Sequence, residues 1–550
     1  MAADIGKGVR IFASLTMLSR VLGLVRDGVL SMVFGAGEIM GAYSMAFRLP
    51  NLLRGLLGEG ALSVAFVPVF TSLVEDQDEA GAQRLANLAI TVLVTLLATV
   101  VLVGEGIILL MASFMDATPR LELTLGLAAV MLPFVIGTCL VALLQAILNV
   151  RGHFAMPAAA PIILNLFIIA GAFATVPLWG DDPAARIYGV AVAVLLAGVV
   201  EVVVQVPVLR RHGFRFHVVW DTASPHLRRI ALLMLPMMLG LGIVQVNTFV
   251  DQLIAAGFSR HLDAQGNLVT HLELFGRTVA YPMKQNAVSV LYYSQQLYHL
   301  PFGVFIVAIG TVIFPMLSRH AHHGDHSGLA ETFNRGLRMA TFIALPCAVG
   351  MILISSPLVQ ACYHRGKFTA ADTVDVALMT AVYVSGLVSY SVLHLATRTF
   401  YARQETMIPV KTAVAAAVVN FVLNVALIWV LGISGLALAT VISATAQALV
   451  LVYLLRRRVG PLGGRRYLAT VGKCLPATAA MAAAAWGAMS LAAHLGLPSE
   501  GLLSADAAAR VAAAVIAGGA AYFLAARLLK IDELNLVLGR WRKKTVDVER

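Results

Sequence analysis

Residues 86–114 read ANLAITVLVTLLATVVLVGEGIILLMASF, an apolar run in which Glu105 is the one ionisable side chain. A helix needs about 20 consecutive, mostly apolar residues to cross a bilayer. This run is long enough to span a membrane, and similar runs recur along the chain. We predict fourteen spans, near residues 9–34, 40–73, 86–114, 121–150, 157–179, 186–210, 228–258, 286–317, 331–354, 374–402, 407–430, 434–456, 467–492 and 505–529.

The composition agrees with a membrane protein. Of the 550 residues, 59% are hydrophobic and 13% are charged, against roughly 45–50% and about 25% in soluble domains. No water-soluble fold hides that much apolar surface, so the excess must face lipid. The alternation typical of barrel strands is not found. We therefore predict an all-α, polytopic membrane protein.

Basic residues predict the topology. With the N-terminus inside, 27 of the 40 Lys and Arg fall in cytoplasmic loops and tails, 8 fall outside and 5 lie within apolar segments. This bias predicts that both termini are cytoplasmic. Because the net charge of +11 is distributed in this way, we interpret it as a topology signal and expect no nucleic-acid partner.

The first twelve spans are interpreted as two copies of one six-helix unit. The segments 149–157 and 401–409 are alike, as are 67–70 and 314–317, and 209–211 and 455–457, with offsets of 246 to 252 residues. Paired lobes of this kind place a substrate site between them. We predict an N-lobe at 1–215, a C-lobe at 216–460 with an outside insertion at 259–286 that caps it, two further helices at 461–530 and a basic tail at 531–550.

Charged and polar side chains interrupt the first two spans. The set comprises Ser19, Arg20, Arg26, Asp27, Arg48, Asn51, Arg54 and Glu59. An arginine at the bilayer centre costs about 2.5–3.5 kcal/mol on insertion scales, so four in consecutive spans indicate a water-filled cavity. Arg20 and Asp27 share a helix face, whereas Arg26 points about 120° away from Arg20. Pro50 and several nearby glycines predict that the second span is bent or broken.

The four arginines outnumber the two acids of the same spans. Guanidinium groups stay charged and bind phosphate oxygens through paired N–H donors. The excess positive charge therefore predicts an anionic, phosphorylated substrate. A structural interpretation also stays open, in which some arginines reach the membrane interface or pair with Asp27 and Glu59.

Other candidate sites are weaker. Arg398 and His394 are four residues apart and share a helix face, with a structural and a functional role equally open. The histidine-rich run at 320–326 is interpreted as a solvated loop rather than a metal site. The four cysteines, far apart in or beside apolar runs, are interpreted as packing residues. No Walker motif or catalytic constellation stands out, so we predict neither an enzyme nor a cofactor.

Several motifs resemble those of one family, the MurJ (MviN) lipid II flippases. They are SRVLGLVRD at 19–27, FGAG at 34–37, FRLPNLLR at 47–54, EGA at 59–61, FVP at 66–68, ILN at 147–149, GKFT at 366–369, FYARQ at 400–404 and PVK at 409–411. The similarity extends from about residue 7 to residue 458.

The resemblance implies the fold of the multidrug/oligosaccharidyl-lipid/polysaccharide exporter superfamily, with two six-helix lobes and two extra helices. It implies that the chain moves lipid II, a peptidoglycan precursor on a polyprenyl diphosphate, to the outer leaflet of a bacterial inner membrane by alternating access. By position, Arg20, Arg26 and Arg54 match the family's functional arginines. The extra helices would form an apolar groove for the polyprenyl tail, and membrane lipids and other cell-wall synthesis proteins are the implied partners.

Two positions depart from the family pattern. Gly41 stands where the family often has an Asp, and Gln296 stands where it usually has a cavity arginine. Arg398 is the charge that could compensate for Gln296. Two alternative functions therefore stay open: transport of another polyprenyl-diphosphate-linked glycan or a soluble organic ion, and a scaffold that recruits cell-wall enzymes.

Overall fold

The fold is that of a computed structural model. It describes residues 2–59, 61–114, 118–151, 153, 155–174, 180, 182–221, 223–274, 276–494 and 504–537. Most of the predicted basic tail at 531–550 therefore lies outside the described residues.

Helices make up nearly all of the described chain. In order they are α1 (Ala2–Phe34), α2 (Glu38–Leu53), α3 (Ala61–Glu75), α4 (Glu79–Phe114), α5 (Pro119–Met131), α6 (Phe134–Val150), α7 (Ala155–Ala174), α8 (Pro183–Arg211), α9 (Pro225–Gly257), α10 (Ala287–Pro301), α11 (Val307–His322), α12 (His326–Tyr363), α13 (Ala370–Ser385), α14 (Leu387–Ala402), α15 (Met407–Leu431), α16 (Ser434–Val459), α17 (Gly464–Ala493), α18 (Ala505–Leu528) and α19 (Asp532–Val537). Over its described residues, each of the fourteen predicted spans coincides with one helix or with a pair of consecutive helices, which confirms the all-α fold class; residues 175–179 of the fifth span lie outside the described residues.

Eight helical spans in the described part of the chain are long and apolar enough to cross a membrane, or ten when two bent pairs are each counted as one span. The other four predicted spans are helical too. They carry charges, or include residues whose side chains are not described, and do not meet this criterion. The chain is therefore a multi-pass membrane protein.

The second predicted span is interrupted, as its sequence indicates. A π-helical segment, Arg54–Glu59, joins α2 to α3. A second π-helical segment, Phe302–Ile306, joins α10 to α11 and begins 248 residues later. Pro301, which directly precedes the second segment, has no N–H to donate to a helix hydrogen bond. Gly55 and Gly58, inside the first segment, weaken the regular α-helix.

Two bends recur at a similar offset. The axes of α5 and α6 differ by 41° across Leu132 and Pro133, and those of α13 and α14 differ by 45° across Gly386. Proline and glycine are the usual causes of sharp helix bends. The recurrence of both irregularities in corresponding spans supports the interpretation of two six-helix copies.

The insertion at 259–286 contains two short hairpins that are not predicted from the sequence. Strands β1 (His261–Leu262) and β2 (Leu268–Val269) pair antiparallel, as do β3 (His271–Leu274) and β4 (Arg277–Ala280). At the base of the insertion, Arg120 Nη1 in α5 donates to Ser259 Oγ at 2.9 Å. The insertion thus contacts the first six-helix copy. It also contacts the second, because Asn286 Nδ2 donates to Asp372 Oδ1 in α13 at 2.9 Å, and its capping of the second copy stays a prediction.

The chain divides into two compact units. Unit 1 comprises residues 1–293, 365–372 and 424–433, and unit 2 comprises 294–364, 373–423 and 434–550. Unit 1 therefore includes α9, which packs against α3. The predicted lobe boundary at 215/216, which rests on the repeat, does not coincide with this division and stays a prediction.

Unit 2 contains α17 and α18, which pack on each other and on α12. The Tyr522 hydroxyl in α18 donates to the Phe342 carbonyl in α12 at 2.7 Å. The short helix α19 is held to α12 by an ion pair of 3.1 Å between Arg338 and the buried Glu533. These contacts attach the two extra helices to one unit.

Candidate functional site

A buried ion pair lies in unit 1. Arg26 donates to Asp27 Oδ1 from Nε at 3.0 Å and from Nη2 at 2.8 Å. The two side chains are 11% and 4% exposed. Arg26 and Asp27 are adjacent in α1 and point about 100° apart around the helix, so the long arginine side chain bends sideways to reach the carboxylate.

Two other helices complete this network. Arg26 Nη1 donates to Asn165 Oδ1 in α7 at 3.1 Å. The Tyr292 hydroxyl in α10 donates to Asp27 Oδ1 at 2.8 Å and lies 3.4 Å from Arg26 Nη2. Asn165 Nδ2 donates to the Ser19 carbonyl at 3.1 Å. The network therefore joins α1, α7 and α10, and its positive charge is balanced within the protein.

Arg20 is different. It is half-buried in α1 and makes no hydrogen bond or ion pair to another residue that the structure describes. Its charge is therefore not balanced in the way that the charge of Arg26 is. Ser19, next to it, contributes its backbone carbonyl to Asn165.

The arginines of the second span have acidic neighbours from other helices. Arg48, in α2, interacts electrostatically with Asp251 in α9. Arg54, which begins the first π-helical segment, interacts with Glu201 in α8. Asp251 and Glu201 are 2% and 4% exposed. The predicted excess of arginines over acids counted only the first two spans, and Asp251 and Glu201 are two further acids near these arginines.

Asn51 and Glu59 do not add to the cluster. Asn51 Nδ2 donates to the Phe47 carbonyl within its own helix at 3.0 Å. The side chain of Glu59, which ends the π-helical segment, lies outside the described part of the structure. Asp251 and Glu201 were missed as partners, although each is an acid inside an apolar span, and such acids usually face a partner or a cavity.

Gln296 and Arg398 both belong to unit 2. Gln296 is half-buried in α10. Arg398 Nε in α14 donates to His394 Nε2 at 3.1 Å, so the expected shared helix face is confirmed. The Arg398 guanidinium also lies 5.8 Å from the ring centroid of Phe314 in α11.

An apolar groove of about 420 Å³ runs along unit 2 between α12, α17 and α18. Its lining residues include Phe342, Met351, Met481, Val515 and Tyr522. In a membrane-spanning region, such a groove suits a hydrocarbon chain better than a polar ligand, because it offers few hydrogen-bonding groups.

The histidine-rich run at 320–326 has a structural role. His320 Nδ1 lies 2.8 Å from Asp325 Oδ2, and Asp325 caps the N-terminus of α12 through the Gly328 N–H. Among the residues that the structure describes, no group of three His, Cys, Asp or Glu side chains is arranged to hold a metal ion.

A bundle of long apolar helices with interrupted spans and buried ionic networks defines a polytopic membrane transporter. Solved structures of that class share the fold. A structure described as lipid II flippase MurJ in an inward closed conformation matches with a TM-score of 0.71, at 22% identity, and covers 95% of this chain and 99% of its own. An inward-facing multidrug resistance MATE family transporter matches with a TM-score of 0.66, at 17% identity, and covers 82% of this chain and 98% of its own.

Sequence comparison identifies the family within this class. The family model described as lipid II flippase MurJ matches residues 30–504. A probable lipid II flippase MurJ of Vibrio cholerae is 33% identical over 446 residues, 79% of each chain. The lipid II flippase MurJ of Burkholderia cenocepacia is 28% identical over 80% of this chain and 82% of its own. The chain belongs to the lipid II flippase MurJ family.

Proposed function

We propose that this chain moves lipid II from the cytoplasmic to the outer leaflet of a bacterial inner membrane, for cell-wall synthesis. The observation that carries the proposal is the match to the MurJ family over residues 30–504. The matched range includes Arg48 and Arg54, and Arg20 and Arg26 precede it in α1. The transport is by alternating access and involves no covalent chemistry on the substrate.

The four arginines of the first two spans have different roles in binding. Arg20 is the group in α1 that is available to the diphosphate, because no described carboxylate pairs with it. Arg26, held by Asp27, Asn165 and Tyr292, keeps the surrounding helices in place and shapes the site. Arg48 and Arg54 add positive potential that Asp251 and Glu201 partly balance.

The polyprenyl tail occupies the apolar groove of unit 2. A hydrocarbon chain gains roughly 0.8 kcal/mol for each buried CH₂ group, so the groove contributes affinity without selecting the head group. The arginines supply the selection for phosphate. Both termini are cytoplasmic, and the cytoplasmic loops are available to other cell-wall synthesis proteins.

Complementation tests this proposal. A bacterium depleted of its own lipid II flippase receives the intact gene, a gene with Arg20→Ala plus Arg26→Ala, or a control with Arg84→Ala, and membrane levels are checked by blot. Arg84 forms an exposed ion pair with Asp221. We expect rescue by the intact gene and the control only.

Two other outcomes would revise the proposal. Rescue by the double variant would support the transport of lipid II but contradict the role of Arg20 and Arg26 in it. Failure of the well-expressed intact protein would favour another polyprenyl-diphosphate-linked glycan as substrate, because Gln296 replaces a family arginine.

A further inference from the structure

Arg398 is a half-buried cation without a counter-ion. Within the part of the chain that the structure describes, no carboxylate pairs with it, and its contacts are the His394 ring and the face of Phe314. Because Arg398 Nε–H donates to Nε2 of His394, that imidazole is the neutral form. The pair therefore retains a full positive charge among apolar helices, where an unbalanced charge is costly unless water or an anion reaches it.

A glycine on the facing helix makes room for this pair. A Cβ at Gly310 in α11 would lie 2.7 Å from His394 Nε2 and 3.2 Å from Arg398 Cδ. The His394 ring is also in contact with Phe302, with ring centroids 5.9 Å apart. Because the ring is already packed against Phe302, a side chain at 310 would disturb the hydrogen bond that orients Arg398.

The Arg398 site lies far from Gln296. Its neighbours Gly310 and Phe314 are 14 and 18 residues beyond Gln296 in the helical stretch Ala287–His322. At 1.5 Å per residue, the separation along the helix is roughly 21–27 Å. Arg398 therefore cannot replace the missing arginine at the depth of Gln296. It lies towards the end of α11 that carries Arg319, which the charge bias assigns to the cytoplasm.

We propose that Arg398, oriented by His394 and accommodated by Gly310, forms a second anion site that binds the phosphate groups of the lipid-linked substrate at the predicted cytoplasmic end of unit 2. The identity of the lipid rests on the proposed function, whereas the phosphate chemistry rests on the geometry of the site. With Nε bonded to His394, the two Nη groups of the guanidinium are the donors for phosphate oxygens. The site receives the diphosphate as the substrate enters.

Binding measurements on the full-length protein in lipid nanodiscs test this site. The probes are a polyprenyl diphosphate without sugar or peptide, and the polyprenol of the same length. We expect Arg398→Gln to weaken binding of the diphosphate about tenfold and to leave binding of the polyprenol unchanged. Gly310→Ala, which retains every charge, should weaken diphosphate binding several-fold. Inorganic diphosphate should compete with the lipid in the wild type.

Arg403→Gln is the matched control. Arg403 follows α14 directly, and its guanidinium already pairs with Glu405 at 2.8 Å, so we expect wild-type affinity. Thermal unfolding of each variant monitors folding, and Arg398→Lys supplies a charged alternative that should retain part of the affinity. The proposal is overturned if Arg398→Gln binds the diphosphate as tightly as Arg403→Gln does, or if inorganic diphosphate never competes.

This result is separable from the proposed function. If the wild type binds polyprenyl diphosphate in an Arg398-dependent way but does not rescue flippase depletion, the anion site stands and the assignment of lipid II fails. If the wild type rescues and Arg398→Gln keeps full affinity, the lipid II assignment stands and the anion site fails.

Discussion

Arg20 and Arg26 are six residues apart in α1, and their surroundings give them different roles. Arg26 bonds to Asp27, Asn165 and Tyr292, so its removal would leave a buried carboxylate without its cation. Arg20 has no such partner among the described residues. A residue that is not engaged by the protein is available to a ligand, whereas an engaged residue first of all stabilises the fold.

We therefore expect Arg20→Ala and Arg26→Ala to fail in different ways. Arg20→Ala should abolish rescue of a flippase-depleted strain and leave the melting temperature of the purified protein unchanged. Arg26→Ala should abolish rescue and also lower the melting temperature, because breaking a buried ion pair costs about 3–5 kcal/mol. Equal melting temperatures for the two variants would contradict the structural role of Arg26.

Asp325, in the loop before α12, gives a pH-dependent prediction. Its carboxylate accepts hydrogen bonds of 2.8 Å from the Gly328 N–H, the Ser327 hydroxyl and His320, and these bonds lower the pKa of Asp325 to about 2. The ordinary pKa is about 3.9, so the stabilisation is complete above that pH and is lost as the pH falls towards 2.

We expect Asp325→Ala to lower the melting temperature at pH 7, with a difference from the wild type that narrows between pH 4 and pH 2. Asp325→Asn can still cap the helix and should therefore lower the melting temperature less than Asp325→Ala does. Thermal unfolding across this pH range measures both effects. A difference that stays constant down to pH 2 would show that the charge of Asp325 does not stabilise the cap.

At the scale of elements, helix irregularities recur in corresponding spans. The π-helical segments begin at residues 54 and 302, and bends of 41° and 45° follow α5 and α13. Irregular backbone at membrane depth persists only where protein or water satisfies its polar groups. The repetition indicates that these interruptions belong to the six-helix unit itself, and the first of them begins at Arg54.

The turn between α1 and α2 gives a prediction for two neighbouring glycines. Gly35 has a φ of +70°, and a Cβ there would lie 2.7 Å from the Lys367 carbonyl oxygen. Gly35→Ala should lower the melting temperature, because left-handed backbone costs roughly 1–2 kcal/mol for an L-residue and the close carbonyl adds to it.

Gly37 is the control, since it has a φ of −85° and a Cβ added there would meet no atom within 4 Å. Gly37→Ala should change the stability by no more than about 0.5 kcal/mol. If the two alanine variants unfolded at the same temperature, close packing of the turn against Lys367 would not contribute to stability.

At the scale of the whole molecule, the charge bias gives a prediction of topology. The 27 Lys and Arg assigned to the inside predict that both termini are cytoplasmic. Green fluorescent protein fused after residue 550 should therefore fluoresce, and alkaline phosphatase fused within the loop at 364–369 should be active. A C-terminal fusion that does not fluoresce, combined with an inactive phosphatase fusion, would show that the topology is the reverse of the predicted one.

The sequence alone determined the class of fold, because long apolar runs have few ways to be buried other than as helices in lipid. It also identified the interrupted second span and the unusual arginines, since each costs free energy at its position in a membrane span. It could not identify their partners. Asp251 and Glu201 come from distant spans, and only tertiary packing brings them near Arg48 and Arg54.

The tertiary structure likewise decided what each arginine does. Arg20, Arg26 and Arg398 all lie within apolar spans of the sequence, yet Arg26 is neutralised by its neighbour Asp27 and Arg398 is oriented by His394. Whether a buried guanidinium is balanced depends on atoms within a few ångströms that helix packing supplies. Spacing along one helix places a charge on a face, and the contents of the facing helices decide whether it can bind an anion.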